Sequence, residues 1–120
     1  MQWIALGAFY AAAAVAAGAF GAHGLENRLS DDALGQWETA ARYLMYGGLA
    51  LLIIGGLGER WKTSIAGPAT SLAVGTAVFS STVFSLALGG PRWLGAVTPL
   101  GGAAMIAGFL WLGITAARRR

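Results

Sequence analysis

The stretch GAFGAHGLENRLSDDALGQWETAARYLMYGG, residues 18–48, separates a long apolar segment from equally apolar sequence that follows it. It contains the protein's only histidine, His23, and four of its five acidic residues. Ser30 is suited to cap a helix N-terminus, and Asp31 and Asp32 would then face the positive end of the helix dipole. The stretch therefore predicts a polar turn followed by a helix at one surface of the molecule.

This helix, predicted over about 31–43, is amphipathic. Apolar side chains recur at helical spacing on one side, and polar side chains fill the remaining positions. Helices of this kind lie at the interface between a membrane and water. Nothing between Arg42 and Gly47 breaks a helix, so we expect the amphipathic helix to continue into an apolar span at about 40–58.

The composition of the chain is typical of a membrane protein. Its 120 residues are 57% hydrophobic and 11% charged, whereas soluble domains carry about 25% charged residues. Its eight Lys and Arg residues include three at the C-terminus, which is not the basic face that nucleic-acid binding requires. The chain has no cysteine, which excludes thiolate metal sites and cysteine nucleophiles.

Four segments are long enough to cross a hydrocarbon core, which takes about 20 helical residues. The predicted spans are 3–22, 40–58, 66–88 and 94–117. The first has no preceding Lys or Arg and is long for a signal peptide, so we expect it to be retained. The fold class predicted is an all-α integral membrane four-helix bundle that forms one domain over residues 1–120.

The distribution of basic residues predicts the orientation of the spans. Four spans place both termini on one side together with the loop at 59–65. That side carries five Lys and Arg residues and the opposite side three. The five on the side of the termini are Arg60, Lys62, Arg118, Arg119 and Arg120. The three on the opposite side are Arg28, Arg42 and Arg92. The positive-inside rule then predicts a protein of the inner membrane with both termini in the cytoplasm and the His23 turn outside.

The third predicted span carries a row of small residues at intervals of four. Small side chains let neighbouring helices approach closely in a membrane, so this row predicts a packing face. The row consists of Ala69, Ala73, Ala77, Ser81 and Ser85. We expect most hydroxyls of this span to bond to carbonyl groups of their own helix.

Six residues are candidates for a functional site near the outer turn. They are His23, Glu26, Trp37, Tyr43, Thr98 and Pro99. One imidazole among scattered carboxylates matches no established metal site, so we expect no metal ion and no cofactor. His23 is expected instead to hydrogen-bond backbone groups left open where the first helix ends. The Thr98–Pro99 pair predicts a break or kink near the start of the fourth helix.

Several motifs occur in an order that resembles one family. They are GAFGAHGL at 18–25, the W-x-T-A-x-x-Y pattern at 37–43, VFS at 78–80 and VTPLGG at 97–102. The family is the small inner-membrane family known as domain of unknown function 423, which has a eukaryotic transmembrane-protein relative. The resemblance implies a four-span membrane protein and implies no particular activity. Members often carry Gln and His where this chain has Leu44 and Gly47, so a two-histidine site is not available here.

These observations favour a structural or accessory subunit over an enzyme. No ionisable residue lies deep in a predicted span, although proton relays and ion-coupled carriers usually have one there. No nucleophile–base pair or phosphate-binding loop is present. The expected partners are membrane lipids and either another membrane protein or a second copy of the chain. The alternatives are a small transporter, channel or lipid-handling protein and, third, a membrane enzyme that uses His23.

Overall fold

The chain folds into four α-helices. A computed structural model describes residues 1–61 and 64–118, and these residues contain no strand. The helices are α1 Gln2–His23, α2 Asp31–Trp61, α3 Ala66–Ala87 and α4 Leu94–Ala117. Each is long and apolar enough to cross a membrane. The predicted all-α, four-helix membrane fold is therefore confirmed.

Helix α2 joins the predicted surface helix and the second span in one uninterrupted helix of 31 residues. Ser30 caps it as predicted, because its Oγ accepts a hydrogen bond from the Ala33 N–H at 3.1 Å. Asp31 and Asp32 lie in the first turn, where the helix dipole stabilises their charges. At about 1.5 Å per residue the helix is roughly 46 Å long, so it exceeds a hydrocarbon core of about 30 Å.

The start of the chain and the end of α2 lie at the same end of the bundle. The Met1 amino group is 3.7 Å from Glu59 Oε1, and both groups are exposed. The α1–α2 and α3–α4 turns therefore lie at the opposite end. Lys62, Arg119 and Arg120, which enter the predicted orientation, lie outside the described residues.

The helices pack mainly in chain order, with α1 on α2, α2 on α3, and α3 on α4. Helices α2 and α3 are the more buried, and α1 and α4 lie at the edges. Leu51, Ile54 and Leu72 are fully buried at the centre of the core. The other buried residues of this cluster are Ala50, Ile65, Ala69 and Ala73.

The two outer helix pairs cross at glycines. Helix α1 crosses α2 where a Cβ on Gly7 would lie 2.5 Å from the carbonyl oxygen of Gly48. Helix α3 crosses α4 where a Cβ on Gly75 would lie 2.7 Å from the backbone nitrogen of Met105 and 2.8 Å from the carbonyl oxygen of Gly101. The backbones are in direct contact at both crossings, so no side chain fits there.

The central interface between α2 and α3 is built differently, because hydroxyl groups take part in it. Ser80 Oγ donates a hydrogen bond to the Ala40 carbonyl oxygen at 3.1 Å. Thr76 faces Gly47, where a Cβ would collide with the threonine side chain. Thr76 Oγ1 is buried and has no hydrogen-bond partner among the described residues.

Candidate functional site

The polar side chains of the His23 turn are exposed, whereas Leu25 within it is buried. Helix α1 is closed by backbone hydrogen bonds, because the N–H groups of Gly24 and Leu25 both donate to the Phe20 carbonyl oxygen. These backbone N–H groups occupy the Phe20 carbonyl oxygen, and the expected hydrogen bond from His23 to the end of α1 stays a prediction. Within residues 1–61 and 64–118, no group of three or more His, Cys, Asp or Glu side chains lies close enough to hold a metal ion. His23 and Glu26 are both exposed in this turn.

Trp37 of α2 contacts both α1 and α3 near the α1–α2 turn. Its indole N–H donates to the Ala17 carbonyl oxygen of α1 at 2.7 Å. The indole lies over Gly21, where a Cβ would be 2.6 Å from Trp37 Cδ1. On the other side its ring packs edge-on against Phe84 of α3, with centroids 4.6 Å apart. Trp37 therefore fixes the position of α2 relative to α1 and α3 at this end of the bundle.

Tyr43 lines a cleft between α2, α3 and α4. Its ring packs against Tyr46 and Phe79, with centroid distances of 5.2 Å and 4.9 Å. The cleft has a volume of about 380 Å³, and Gly102, Met105, Ile106 and Phe109 of α4 complete its wall. This volume lies within the range of about 300–1,000 Å³ that is typical of ligand pockets.

The cleft is open because residue 102 has no side chain. A Cβ at Gly102 would lie 3.6 Å from Phe79 Cδ2, which is an ordinary contact, and a longer side chain would extend into the open volume. Tyr46, Ile106 and Phe109 are all exposed at the rim. The cleft therefore opens sideways to the surface of the bundle, and its lining is aromatic and aliphatic apart from two tyrosine hydroxyls.

Thr98 and Pro99 lie in the first turns of α4. The helix continues through Pro99, so a break is absent, and the alternative of a kink stays a prediction. Thr98 Oγ1 bonds to the Leu94 carbonyl oxygen at 3.0 Å and lies 2.7 Å from Thr82 Oγ1 of α3. Thr98 therefore connects α4 to α3, whereas Pro99 is exposed.

The six candidate residues thus do not converge on one site. His23 and Glu26 belong to the exposed turn, Trp37 to the junction of three helices, and Tyr43 to the cleft. Thr98 makes the hydroxyl pair with Thr82. Of the six residues, Tyr43 lines the cleft of about 380 Å³.

The row of small residues on α3 divides between the inside and the outside of the bundle. Ala69 and Ala73 are buried in the core. Ala77 and Ser81 are exposed, and Ser85 is half-buried. Within the described chain, the row therefore does not form one continuous interface.

The comparison with known proteins agrees with this architecture. The sequence profile of a family described as "Protein of unknown function (DUF423)" matches residues 17–102. The chain belongs to the DUF423 family. No solved structure matches the chain.

Relatives of this DUF423 protein include staphylococcal proteins named UPF0382 membrane protein. The chain is 44% identical to that of Staphylococcus haemolyticus over 110 residues, which cover 92% of this chain and 90% of the relative. It is 46% identical to that of Staphylococcus saprophyticus over 110 residues, which cover 92% of each chain. Together with four apolar helices of membrane-spanning length, these relatives show that the DUF423 chain is a multi-pass membrane protein.

Two hydroxyl contacts in this DUF423 protein were missed by the sequence reasoning. The Tyr10 hydroxyl donates to the Ala73 carbonyl oxygen at 2.9 Å and links α1 to α3. Ser71 Oγ donates to the Ala104 carbonyl oxygen at 2.7 Å and links α3 to α4. A polar group inside an apolar span was the signal available for both, because such a group needs a partner in a membrane. By contrast, Ser81 and Ser85 bond to their own helix as expected.

Proposed function

We propose that this chain is a non-enzymatic accessory subunit that packs through α3 against another membrane protein or a second copy of itself. The observation that carries the proposal is the exposure of Ala77 and Ser81 on α3, one of the two most buried helices. Small side chains on an uncovered helix face allow the backbone of another helix to approach closely. Val74 is also exposed, one turn before Ala77. Val74, Ala77 and Ser81 therefore form an exposed face on α3 that carries no large side chain.

The distribution of polar groups supports this role over catalysis or ion transport. The candidate residues lie in separate places, and most buried hydroxyls in the described part of the chain bond to carbonyl groups or to each other. Catalysis requires a nucleophile or base within hydrogen-bond reach of a common point. Packing requires only a complementary surface, which the exposed α3 face supplies.

Cross-linking from single cysteines tests the packing role, because the chain contains no cysteine of its own. Ala77→Cys and Ser81→Cys would each be labelled in native membranes with a maleimide–diazirine cross-linker. We expect one discrete product of higher mass from both positions, either a dimer or a complex with a single partner. Val15→Cys, exposed on α1, is the matched control and should remain monomeric. Monomers from all three positions, or equal products from all three, would contradict the proposal.

We also propose that both termini lie in the cytoplasm and that the protein resides in the inner membrane. The excess of Lys and Arg on the side of the termini supports this orientation. In intact cells or spheroplasts, a membrane-impermeant maleimide should label Glu26→Cys at once. It should label Arg118→Cys only after permeabilisation. The reverse pattern would overturn the orientation.

A further inference from the structure

We propose that the cleft between α2, α3 and α4 binds one acyl chain of a membrane phospholipid, whose phosphate is bound by Arg42. The lipid belongs to the leaflet that faces the α1–α2 turn. This site is separate from the packing face proposed for α3. Phe79 lies two residues from both Ala77 and Ser81, a rotation of about 200° along a helix, so the cleft and the packing face lie on opposite sides of α3.

The lining of the cleft selects a hydrocarbon chain. Phe79 lies near the middle of α3, and Met105, Ile106 and Phe109 lie near the middle of α4. In a multi-pass membrane protein this level is the hydrocarbon region, where the surrounding molecules are lipid tails. An empty volume of about 380 Å³ would leave its lining atoms without dispersion contacts. An acyl chain restores those contacts without bringing a polar group into an apolar site.

Arg42 directly precedes the cleft residue Tyr43 and lies on the side of the cleft that faces the α1–α2 turn. It precedes Tyr46 by four residues, and residues at this spacing are neighbours on the same helix face. Side chains on a helix lean towards its N-terminus, so the Arg42 guanidinium extends away from the cleft towards the membrane surface. Arg42 follows Trp37 by five residues, about 7.5 Å along the axis, a depth from which arginine reaches the headgroup level by snorkelling.

The charge of Arg42 is unpaired in the described part of the chain. Arg42 is exposed, and although Glu38 precedes it by one turn, no ion pair joins them among the described residues. A guanidinium group binds phosphate through two parallel hydrogen bonds. An uncompensated guanidinium above an apolar cleft therefore matches a molecule with a phosphate at one end and a hydrocarbon chain at the other, as in a phospholipid.

Native mass spectrometry of the full chain in mild detergent tests the two halves of this site separately. The probes are 1-palmitoyl-2-oleoyl-phosphatidylglycerol and the diacylglycerol with the same acyl chains, which lacks the phosphate. Gly102→Leu fills the cleft. Its control is Gly113→Leu on the same helix, since a Cβ at Gly113 would meet no atom of another residue within 4 Å outside its own helix backbone. Arg42→Gln removes the charge, and Arg28→Gln, in the exposed turn, is its control.

The unmodified chain should retain one phosphatidylglycerol in preference to diacylglycerol. Gly102→Leu should weaken binding of both lipids about tenfold relative to Gly113→Leu, because the acyl chain loses its site. Arg42→Gln should weaken only phosphatidylglycerol, about tenfold, because a charge-assisted hydrogen bond to phosphate is lost. Each control should bind like the unmodified chain.

Three outcomes would overturn the proposal. Binding by Gly102→Leu that equals binding by Gly113→Leu would show that the cleft holds no acyl chain. An unchanged lipid preference in Arg42→Gln would exclude the phosphate contact. Loss of a dimer in Gly102→Leu, with lipid binding intact, would assign the cleft to a second copy of the chain. If Gly102→Leu does not fold, Ile106→Trp narrows the cleft from its exposed rim and is expected to give the same result.

Discussion

The outer helix pairs, α1–α2 and α3–α4, and the central α2–α3 interface bring their helices into contact through different groups. At the α1–α2 and α3–α4 crossings, glycines bring one backbone directly against another. At the α2–α3 interface, the Ser80 hydroxyl bonds to a carbonyl oxygen across the gap, and Thr76 faces Gly47. Backbone atoms cannot move aside without moving a whole helix, whereas a side chain can be replaced. The outer crossings should therefore tolerate substitution least, and the central interface should accept compensating changes.

The largest effect is expected where two backbones meet. In Gly75→Ala the new Cβ would lie 2.7 Å from the Met105 nitrogen and 2.8 Å from the Gly101 oxygen, so α3 and α4 must separate. We expect the free energy of unfolding to fall by about 3 kcal/mol, the upper part of the usual range for overpacking. Titration with sodium dodecyl sulfate in mixed micelles, followed by circular dichroism, measures this change.

The matched control is Gly113→Ala, in the same helix pair. A Cβ at Gly113 would meet no atom of a packed neighbour within 4 Å, so the substitution changes only the helix propensity of this position. The free energy of unfolding should rise by about 0.5–1 kcal/mol. Equal effects at Gly75 and Gly113 would show that backbone contact does not hold α3 to α4.

A smaller effect is expected at the central interface, and it should be reversible. In Gly47→Ala the new Cβ collides with the Thr76 side chain, at an expected cost of about 2 kcal/mol. Thr76→Gly removes all the atoms that collide. The double variant should therefore recover part of the lost stability, and a double-mutant cycle in the same titration measures the coupling. Purely additive losses would contradict the proposed contact.

The smallest effect is expected for the interhelical hydrogen bond of Ser80. Ser80→Ala removes the bond to the Ala40 carbonyl oxygen, and such bonds in membranes contribute about 0.6 kcal/mol on average. Ser85→Ala is the comparison, because Ser85 Oγ bonds to Ser81 within its own helix and should contribute less. A larger loss in Ser85→Ala than in Ser80→Ala would reverse this ranking of the hydroxyl contacts.

Sequence reasoning succeeded for features set by local rules. The Ser30 cap and the uninterrupted α2 follow from side chains within a few residues of each position. The number of spans follows from the length of apolar segments, since about 20 helical residues cross a hydrocarbon core. These quantities need no knowledge of which helices are neighbours.

The same reasoning could not decide which small residues of α3 face inward. Each step of four residues rotates by about 40° around the helix axis, so the row from Ala69 to Ser85 turns by about 160°. The two ends of the row therefore face different sides of α3 and cannot belong to one interface. This rotation explains why Ala73 is buried and Ala77 is exposed. The face of α3 that points into the bundle is formed instead by Leu72, Thr76 and Val83. The residues that they contact on other helices are distant in sequence.

The cleft was also beyond the reach of the sequence. Tyr43 was a candidate for a site near the outer turn, but its neighbours Phe79 and Gly102 come from two other helices. The open volume depends on the absence of a side chain at Gly102, next to a crossing at Gly101 that needs glycine for a different reason. Sequence alone does not separate a glycine that permits contact from one that leaves space.

The packing of helices in chain order also bears on biogenesis. Helices α1 and α2 can form their Gly7–Gly48 contact before α3 is synthesised, because translation delivers the N-terminal spans first. Insertion of α3 then completes the Tyr10 bond to Ala73, and α4 arrives last against α3. Each helix packs mainly against the helix that is synthesised next. The face that one helix leaves uncovered is therefore covered as soon as the following helix is inserted.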